Sequence, residues 1–216
     1  MAAPLAAPRI ALIHALRHSP PPIEAAMARL WPEAQVMSLL DTSLSADLVA
    51  AGRLTPRMTE RFLALARYAL GTGAEGLLFT CSAFGPCIEA VAAAFAPIPV
   101  LKPNEAMIEE AARCRRIGLI ASFPATLASM PAEFPAGVEV VPMLAEGALA
   151  ALDAGDFASH DRLTAEAARR LPGCDAIALA QFSLARAAPA VAAETGLPVL
   201  TTPESAVRKM MRLLGR

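Results

Sequence analysis

Two stretches of the chain repeat each other: Gly73-Ala-Glu-Gly-Leu-Leu-Phe-Thr80 aligns with Gly173-Cys-Asp-Ala-Ile-Ala-Leu-Ala180 at an offset of 100 residues. In the helix that follows, Ala90-Val-Ala-Ala93 falls on Ala190-Val-Ala-Ala193 at the same offset. Each copy contains a short apolar run, which is typical of a strand buried in a parallel sheet. A strand and helix that recur at this spacing predict a duplicated α/β lobe.

Two further matches extend the repeat. After a gap of one residue, Pro99-Val-Leu101 falls on Pro198-Val-Leu200. The first apolar run, Arg9-Ile-Ala-Leu-Ile13, resembles Arg116-Ile-Gly-Leu-Ile120. Helices rich in alanine align by chance fairly easily, but matches in the same order across strands and loops indicate duplication. We therefore predict two similar lobes: residues 1–102 with a returning C-terminal helix at 203–216, and residues 103–202.

Strands and helices alternate along the whole chain. The predicted strands are 9–14, 35–40, 76–80, 99–102, 116–121, 138–141, 176–180 and 198–201. Thr55-Pro56 and Thr202-Pro203 each place an N-cap before a proline at the first helical position, and Asn104 and Asp156 begin two more helices. Residues 41–52 are expected to form a loop with a helical turn. This order predicts an α/β fold of two pseudosymmetric lobes, each a mainly parallel sheet flanked by helices.

The composition excludes several classes of protein. The 216 residues are 56% hydrophobic and 18% charged, which excludes a disordered chain. The 19 Lys and Arg against 20 Asp and Glu give no basic excess, so we expect no nucleic-acid partner. Proline, glycine or a charge interrupts every apolar run before the roughly 20 residues that span a bilayer, so we expect no membrane partner.

The cysteines and the N-terminus bear on the compartment. Cys81, Cys87, Cys114 and Cys174 match neither a disulfide scaffold nor a zinc pattern, so no metal site is predicted. The tail Met1–Pro8 lacks the pattern of a signal peptide. We therefore expect a cytoplasmic location, where a cysteine is either buried filler or a reactive thiol.

The repeat also predicts where a ligand binds. Ligands of parallel sheets bind beyond the carboxyl ends of the strands, so similar lobes would present equivalent strand ends to one cleft. The loop Thr80–Ala83 corresponds to the loop Ala180–Ser183. Cys81 and Gln181 are therefore expected to lie on opposite sides of the cleft. The other walls are His14-Ala15 and Ala121-Ser122-Phe123.

Cys81 is the candidate reactive group. It follows a predicted strand and precedes a helix that we expect to begin around residues 84–86. A helix N-terminus favours an anion, so we expect a lowered thiol pKa and nearby N–H groups that hold a carboxylate. A thiolate there could remove a proton next to a carboxylate or attack as a nucleophile. The alternative is a buried apolar cysteine, which is the role expected for Cys87, Cys114 and Cys174.

At this point the sequence resembles the aspartate/glutamate/hydantoin racemase superfamily. The resemblance rests on Leu78-Phe-Thr-Cys-Ser-Ala-Phe84, on Ile117-Gly-Leu-Ile-Ala-Ser-Phe-Pro-Ala-Thr126, and less closely on Ala178-Leu-Ala-Gln-Phe-Ser183. It covers nearly the whole chain. It implies two pseudosymmetric lobes, no cofactor, and racemases with one cysteine per lobe. Arylmalonate decarboxylases and maleate isomerases look like relatives of these racemases that use the same cleft for other reactions.

The resemblance also implies roles for single residues. Cys81 matches the first catalytic cysteine, and Ser82 matches a neighbour that helps to hold a substrate carboxylate. Ser122 and Thr126 fall in the loop that contacts other substrate oxygens. Gln181 replaces the second cysteine and cannot act as a base or a nucleophile. The remaining predicted substrate-binding residues are His14, Ala83, Phe123 and Ser183. His14 could donate a hydrogen bond or a proton, because histidine titrates near neutral pH, or its ring could simply be oriented by nearby backbone at the strand end.

We therefore predict a cofactor-independent isomerase, similar to a racemase, that acts on a small carboxylate through the single cysteine Cys81. With Gln181 at the second position, racemisation by two thiols is disfavoured. The alternatives are a decarboxylase or cis–trans isomerase of the same superfamily, or a carboxylate-binding protein without turnover. The resemblance also implies a homodimer.

Overall fold

A computed structural model describes residues 7–216, apart from the side chain of Ala125. The chain divides into two compact units. The first unit ends at Pro103 and also includes Ala206–Arg216, and the second unit is Asn104–Ser205. Residues 1–6 of the predicted tail Met1–Pro8 lie outside the described residues. Within residues 7–216, no helix is long and apolar enough to cross a membrane.

The first unit alternates strands with helices. Its elements are β1 (Arg9–His14), α1 (Pro20–Leu30), β2 (Gln35–Leu40), α2 (Ser43–Ala51), α3 (Pro56–Gly71), β3 (Gly76–Phe79), a 3₁₀ helix (Ser82–Phe84), α4 (Gly85–Phe95) and β4 (Val100–Leu101). All four strands are parallel, in the order β2-β1-β3-β4.

The second unit repeats this order. Its elements are α5 (Glu105–Ala111), β5 (Arg116–Ala121), α6 (Pro124–Ser129), a 3₁₀ helix (Met130–Glu133), β6 (Glu139–Leu144), α7 (Ala148–Asp153), α8 (Phe157–Arg169), β7 (Ala176–Leu179), a 3₁₀ helix (Phe182–Ala187), α9 (Ala188–Thr195) and β8 (Val199–Thr201). Its strands are also parallel, in the order β6-β5-β7-β8. The helix α10 (Thr202–Leu213) follows and leads into the C-terminal segment of the first unit.

The two sheets have matching registers. Ile10 pairs with Gly76 in the first sheet, as Ile117 pairs with Ala176 in the second. An acidic residue before the third strand of each sheet binds a backbone N–H at the start of the first strand: Glu75 accepts from Arg9 at 3.4 Å, and Asp175 accepts from Arg116 at 2.9 Å. The predicted fold of two pseudosymmetric α/β lobes is confirmed.

Burial separates central from edge strands. β1, β3, β5 and β7 are almost wholly buried, as their continuous apolar sequences predict. β2 and β6, in contrast, are partly exposed. Each pairs with one neighbour only, because it is the first strand of its sheet. An edge strand has no second strand to cover its outer side.

The predicted helix starts differ in whether a side chain caps the helix. Thr55 caps α3, because its hydroxyl accepts a hydrogen bond from the Met58 N–H at 3.4 Å. Thr202, in the same Thr-Pro pair, is the first residue of α10, and its buried hydroxyl has no partner among the described residues. Asn104 precedes α5 without a side-chain cap. The predicted loop at residues 41–52 is largely the helix α2, so that prediction is wrong.

The C-terminal helix packs on the first unit. Met210 is buried, and a Cβ added at Gly76 of β3 would lie 2.6 Å from the Met210 sulfur. The sequence leaves open whether this apolar helix packs on its own chain or on a partner. The contact with β3 shows that Met210 packs within its own chain.

Candidate functional site

A buried polar pair lies where the first sheet ends. His14 is the last residue of β1, and Thr80 directly follows β3, which pairs with β1. The two side chains meet at 2.9 Å between His14 Nδ1 and Thr80 Oγ1. The Thr80 hydroxyl also lies 3.5 Å from the carbonyl oxygen of Ile13, to which it donates. This contact takes up one ring nitrogen of His14, and the tautomer of the ring decides whether Nδ1 or the hydroxyl donates.

His14 is neutral at physiological pH. Its residue is 1% exposed, and this burial lowers its pKa to about 4, although the charge of Glu24 acts in the opposite direction. Its Nε2 atom is buried and has no hydrogen-bond partner in the described part of the chain. The prediction that His14 donates a proton near neutral pH is therefore wrong for this environment. The ring is therefore a neutral group with one buried nitrogen whose hydrogen-bonding capacity is unmet among the described residues.

Cys81 comes directly after Thr80 and is half-buried. Burial raises the pKa of its thiol, and a hydrogen bond from the Ala83 N–H only partly opposes this effect. The prediction of a lowered thiol pKa is therefore wrong. A three-residue 3₁₀ helix stands between Cys81 and α4, so the thiol precedes a short turn rather than a long helix. At neutral pH the group is a thiol and a potential proton donor.

Aromatic packing fixes the Cys81 loop at both ends. Phe79 ends β3, and its ring centroid lies 5.2 Å from that of Phe62. Phe84 ends the 3₁₀ helix, with its centroid 4.9 Å from Phe62. Ser82 and Ala83, between these anchors, are exposed. The loop therefore presents Ser82 to solvent on a rigid base.

The second sheet ends in a different polar pair. Ser122 follows β5, and Gln181 follows β7, which pairs with β5. The backbone N–H and the hydroxyl of Ser122 both donate to Gln181 Oε1, at 2.7 and 3.0 Å. A backbone N–H can only donate, so the atom that it meets is the amide oxygen of Gln181. The Gln181 side chain therefore offers the donors of its NH₂ group to a ligand.

The other predicted residues of the second unit lie in the same two loops. Phe123 is 51% exposed and precedes α6, and its carbonyl oxygen accepts from the Thr126 N–H at 3.1 Å. Ser183 is half-buried in the 3₁₀ helix that follows Gln181. Within this unit, the sheet brings Ser122 together with Gln181. Among the described hydrogen bonds of this unit, none links Thr126 or Ser183 to that pair.

Sequence reasoning missed other polar groups at these edges. Thr80 is the partner of His14, and only the pairing of β1 with β3 reveals it. Thr201 ends β8 and Thr202 begins α10, and the buried hydroxyls of both have no partner among the described residues. Arg61 binds Asp41 at 2.6 Å and Asp47 at 2.5 Å. A contact between charges distant in sequence leaves no local signal.

Metal-ligating groups and surface depressions of the described residues can be compared with the predicted site. Within residues 7–216, no three His, Cys, Asp or Glu side chains come together in a group that could hold a metal ion. One depression of about 380 Å³ lies beside Trp31 and Val36, and another of about 380 Å³ lies beside Arg115 and Asp175. The second depression is at the amino end of its sheet, away from Gln181.

Comparison with protein-family models and with curated proteins gives no match to the sequence. Solved structures do match. Allantoin racemase from Klebsiella pneumoniae has a TM-score of 0.73 at 19% identity, covering 97% of this chain and 88% of that one. Glutamate racemase from Francisella tularensis, solved with D-glutamate, has a TM-score of 0.70 at 14% identity, covering 98% and 82%. Arylmalonate decarboxylase has a TM-score of 0.63 at 19% identity, covering 96% and 93%. At these low identities, the structural matches show that the fold is shared and nothing more.

Proposed function

We propose that this chain, whose fold is that of the aspartate/glutamate/hydantoin racemase superfamily, is a cofactor-independent enzyme that transfers a proton on a small carboxylate. Cys81 supplies the proton, and Gln181 binds an oxygen of the same substrate. The reaction is an isomerisation by tautomerisation, or a decarboxylation that ends in protonation. The names of the structural neighbours, which include racemases and a decarboxylase, support this class of chemistry.

The protonation state of Cys81 carries the proposal. Because burial raises the pKa of Cys81, the resting group is a thiol, which gives a proton more readily than it removes one. A carbanion or enolate next to a carboxylate is a strong base that accepts such a proton. This supports a reaction in which protonation of carbon is the step that Cys81 performs.

Gln181 supports a role on the substrate's oxygen atoms. Ser122 occupies the amide oxygen, so the N–H groups of Gln181 are available for an oxygen acceptor. Two N–H donors suit a carboxylate or an enolate oxygen, and hydrogen bonds that strengthen as charge develops lower the barrier. Gln181 has no titratable proton, which disfavours racemisation by two thiols.

In the proposed decarboxylation, the bond between the α-carbon and one carboxyl group breaks. CO₂ leaves, and the electron pair stays on the α-carbon as an enolate. Gln181 and nearby hydroxyls stabilise the enolate oxygens. The Cys81 thiol gives its proton to the α-carbon, and the resulting thiolate takes a proton from water. In the tautomerisation, the C=C electron pair of the enol takes the Cys81 proton, the enol O–H proton passes to water as the carbonyl forms, and the thiolate regains a proton from water.

The proposal is tested with a panel of phenylmalonate, D-glutamate, allantoin and maleate in D₂O, followed by proton NMR. We expect decarboxylation of phenylmalonate with deuterium at the protonated carbon. Racemisation of D-glutamate or allantoin, which needs a second group that transfers a proton, would contradict the reaction through a single thiol. Cys81→Ser should reduce that turnover by about 10³-fold, since positioned proton transfer contributes on the order of 10²–10⁴. Cys114→Ser, which changes another half-buried thiol, is the matched control and should retain activity.

Two outcomes overturn the proposal. Full turnover in Cys81→Ser would remove the thiol from the chemistry. Absence of turnover, with ligand-dependent thermal stabilisation that survives Cys81→Ala, would identify a carboxylate-binding protein instead.

A further inference from the structure

An ion pair anchors the helix that follows Gln181. Arg186 Nε and Nη2 bind Asp161 Oδ1 and Oδ2 at 2.8 and 3.1 Å, in a two-pronged contact between the 3₁₀ helix and α8. The Arg186 guanidinium also lies over the Phe157 ring, with its carbon 4.3 Å from the ring centroid. Paired N–H bonds to one carboxylate fix both distance and angle. This Arg186–Asp161 contact therefore restrains the orientation of the 3₁₀ helix.

The segment that Arg186 restrains is an unusual one. The 3₁₀ helix is six residues long, whereas runs beyond about 3–4 residues are uncommon because their hydrogen bonds are poorly aligned. Gln181 immediately precedes it. The corresponding 3₁₀ helix of the first unit has three residues and is held by the aromatic contacts of Phe84. In the second unit, the ion pair of Arg186 with Asp161 restrains the longer 3₁₀ helix.

The helix α8 supplies a well-ordered base for this restraint. Asp156 caps it by accepting the Ser159 N–H at 3.0 Å, and Thr164 donates to the His160 carbonyl oxygen at 2.8 Å. Asp161 also meets the buried His160 ring at 2.8 Å. Although burial acts to raise the pKa of Asp161, hydrogen bonds from Arg186 and His160 hold it below its usual range. The carboxylate therefore stays charged and paired.

We propose that Arg186 is a positioning residue: by binding Asp161 it fixes the last turn of the 3₁₀ helix, and through the short helix it holds Gln181 Oε1 against Ser122. Its importance for turnover rests on the proposed function, but the positioning itself does not. Loss of the contact would free the Gln181 side chain and weaken its hydrogen bonds with Ser122. The competing explanation is that Phe182, Leu184 and Ala187, which are all buried, hold the segment alone.

Backbone amide exchange followed by NMR tests the proposal without a substrate. The Ser122 N–H is the probe, because it donates to Gln181. Arg186→Ala should speed its exchange about two- to fivefold, the order expected for losing a partly exposed ion pair. Gln181→Ala should speed it at least as much, and the double variant should equal Gln181→Ala. Additive effects would contradict an action through Gln181.

Two controls separate positioning from general loss of stability. The Ala180 N–H, which donates to Ile120 at 2.9 Å, should keep its exchange rate in Arg186→Ala. Arg162→Ala removes an exposed pair with Glu166 on the same helix and should leave Ser122 unchanged. Equal acceleration at Ala180 and Ser122, or no acceleration at Ser122, would overturn the proposal.

Arg186→Gln keeps most of the side chain's bulk, and it should reproduce the effect if Arg186→Ala does not fold. Unchanged Ser122 exchange in this variant would also overturn the proposal. With an active substrate, Arg186→Ala should lower turnover in the wild-type background and not further in Gln181→Ala. If the chain has no activity, the exchange result still decides the positioning role.

Discussion

The carboxyl edges of the two sheets have the same backbone and different polar groups. In the first unit, His14 and Thr80 form the buried pair, and Cys81 follows. In the second unit, Ala121 and Ala180 stand at the positions of His14 and Thr80. The polar pair there lies one residue later, where Ser122 and Gln181 align with Ala15 and Cys81.

The difference shows how a duplicated scaffold acquires separate tasks. The first edge holds a neutral histidine and a protonated thiol, which suits proton donation. The second edge offers the N–H groups of an amide, which suits binding of an oxygen. The supports differ as well, since aromatic rings anchor the Cys81 loop and an ion pair anchors the Gln181 loop.

The largest expected effect on stability comes from the His14 pair, which the second unit lacks. Because the folded pKa of about 4 lies below the ordinary value of 6.5, the unfolded chain binds more protons between these pH values. Stability is therefore full above about pH 6.5 and falls toward pH 4, by about 3 kcal/mol. Urea unfolding at a series of pH values measures this slope.

His14→Gln is the matched variant for that measurement. It should remove the part of the pH dependence of the unfolding free energy between pH 6.5 and 4 that comes from His14. The part that comes from the carboxylates should remain. A wild-type slope that persists in His14→Gln would show that His14 is not buried and neutral in solution.

Gln181→Glu sharpens the contrast at the second edge. The carboxylate can still accept from Ser122, but it has no N–H for a substrate oxygen. We expect kcat/KM to fall about 10- to 100-fold, the effect of losing an oxyanion donor at a half-buried site. Gln181→Ala should lose a similar amount, because the donors are gone in both. Steady-state kinetics on the active substrate measures both variants. Retained activity in Gln181→Glu would contradict the role of Gln181 as a donor.

Two glycines at central strands test packing in the two units. A Cβ at Gly118 would lie 2.8 Å from the ends of both Ile177 and Leu171, whereas one at Gly76 would meet mainly the flexible end of Met210. We expect Gly118→Ala to cost about 1–2 kcal/mol of unfolding free energy and Gly76→Ala about 1 kcal/mol or less. Thermal and urea denaturation compare them. The reverse order would mean that α10 is the more rigid neighbour.

The smallest effect concerns the reactivity of Cys81 in the resting protein. Because burial raises its pKa, alkylation by iodoacetamide at pH 7.5 should be slower than that of free cysteine. Mass spectrometry of the peptide that contains Cys81 distinguishes it from Cys114. Faster alkylation than the free thiol would indicate a thiolate.

Local patterns predicted much of the fold. β1 and β5 begin and end at the residues that their apolar runs predict, because continuous burial leaves a continuous signal. The partly exposed edge strand β2 also has its predicted ends, whereas the edge strand β6 runs from Glu139 to Leu144, beyond its predicted end at residue 141. The residues 41–52 form α2 although serine and aspartate favour loops, since tertiary packing of Leu44 overrides propensity.

The sequence by itself determined the duplication, the parallel sheets and the loops that carry Cys81 and Gln181. All of these follow from periodicity and from residue order, which are local properties. Tertiary structure decided the chemical state of those loops. The neutral ring of His14, the raised pKa of Cys81 and the occupied oxygen of Gln181 each depend on burial or on a partner more than 50 residues away. Desolvation and hydrogen-bond geometry are properties of the packed chain, and no run of neighbouring residues contains them.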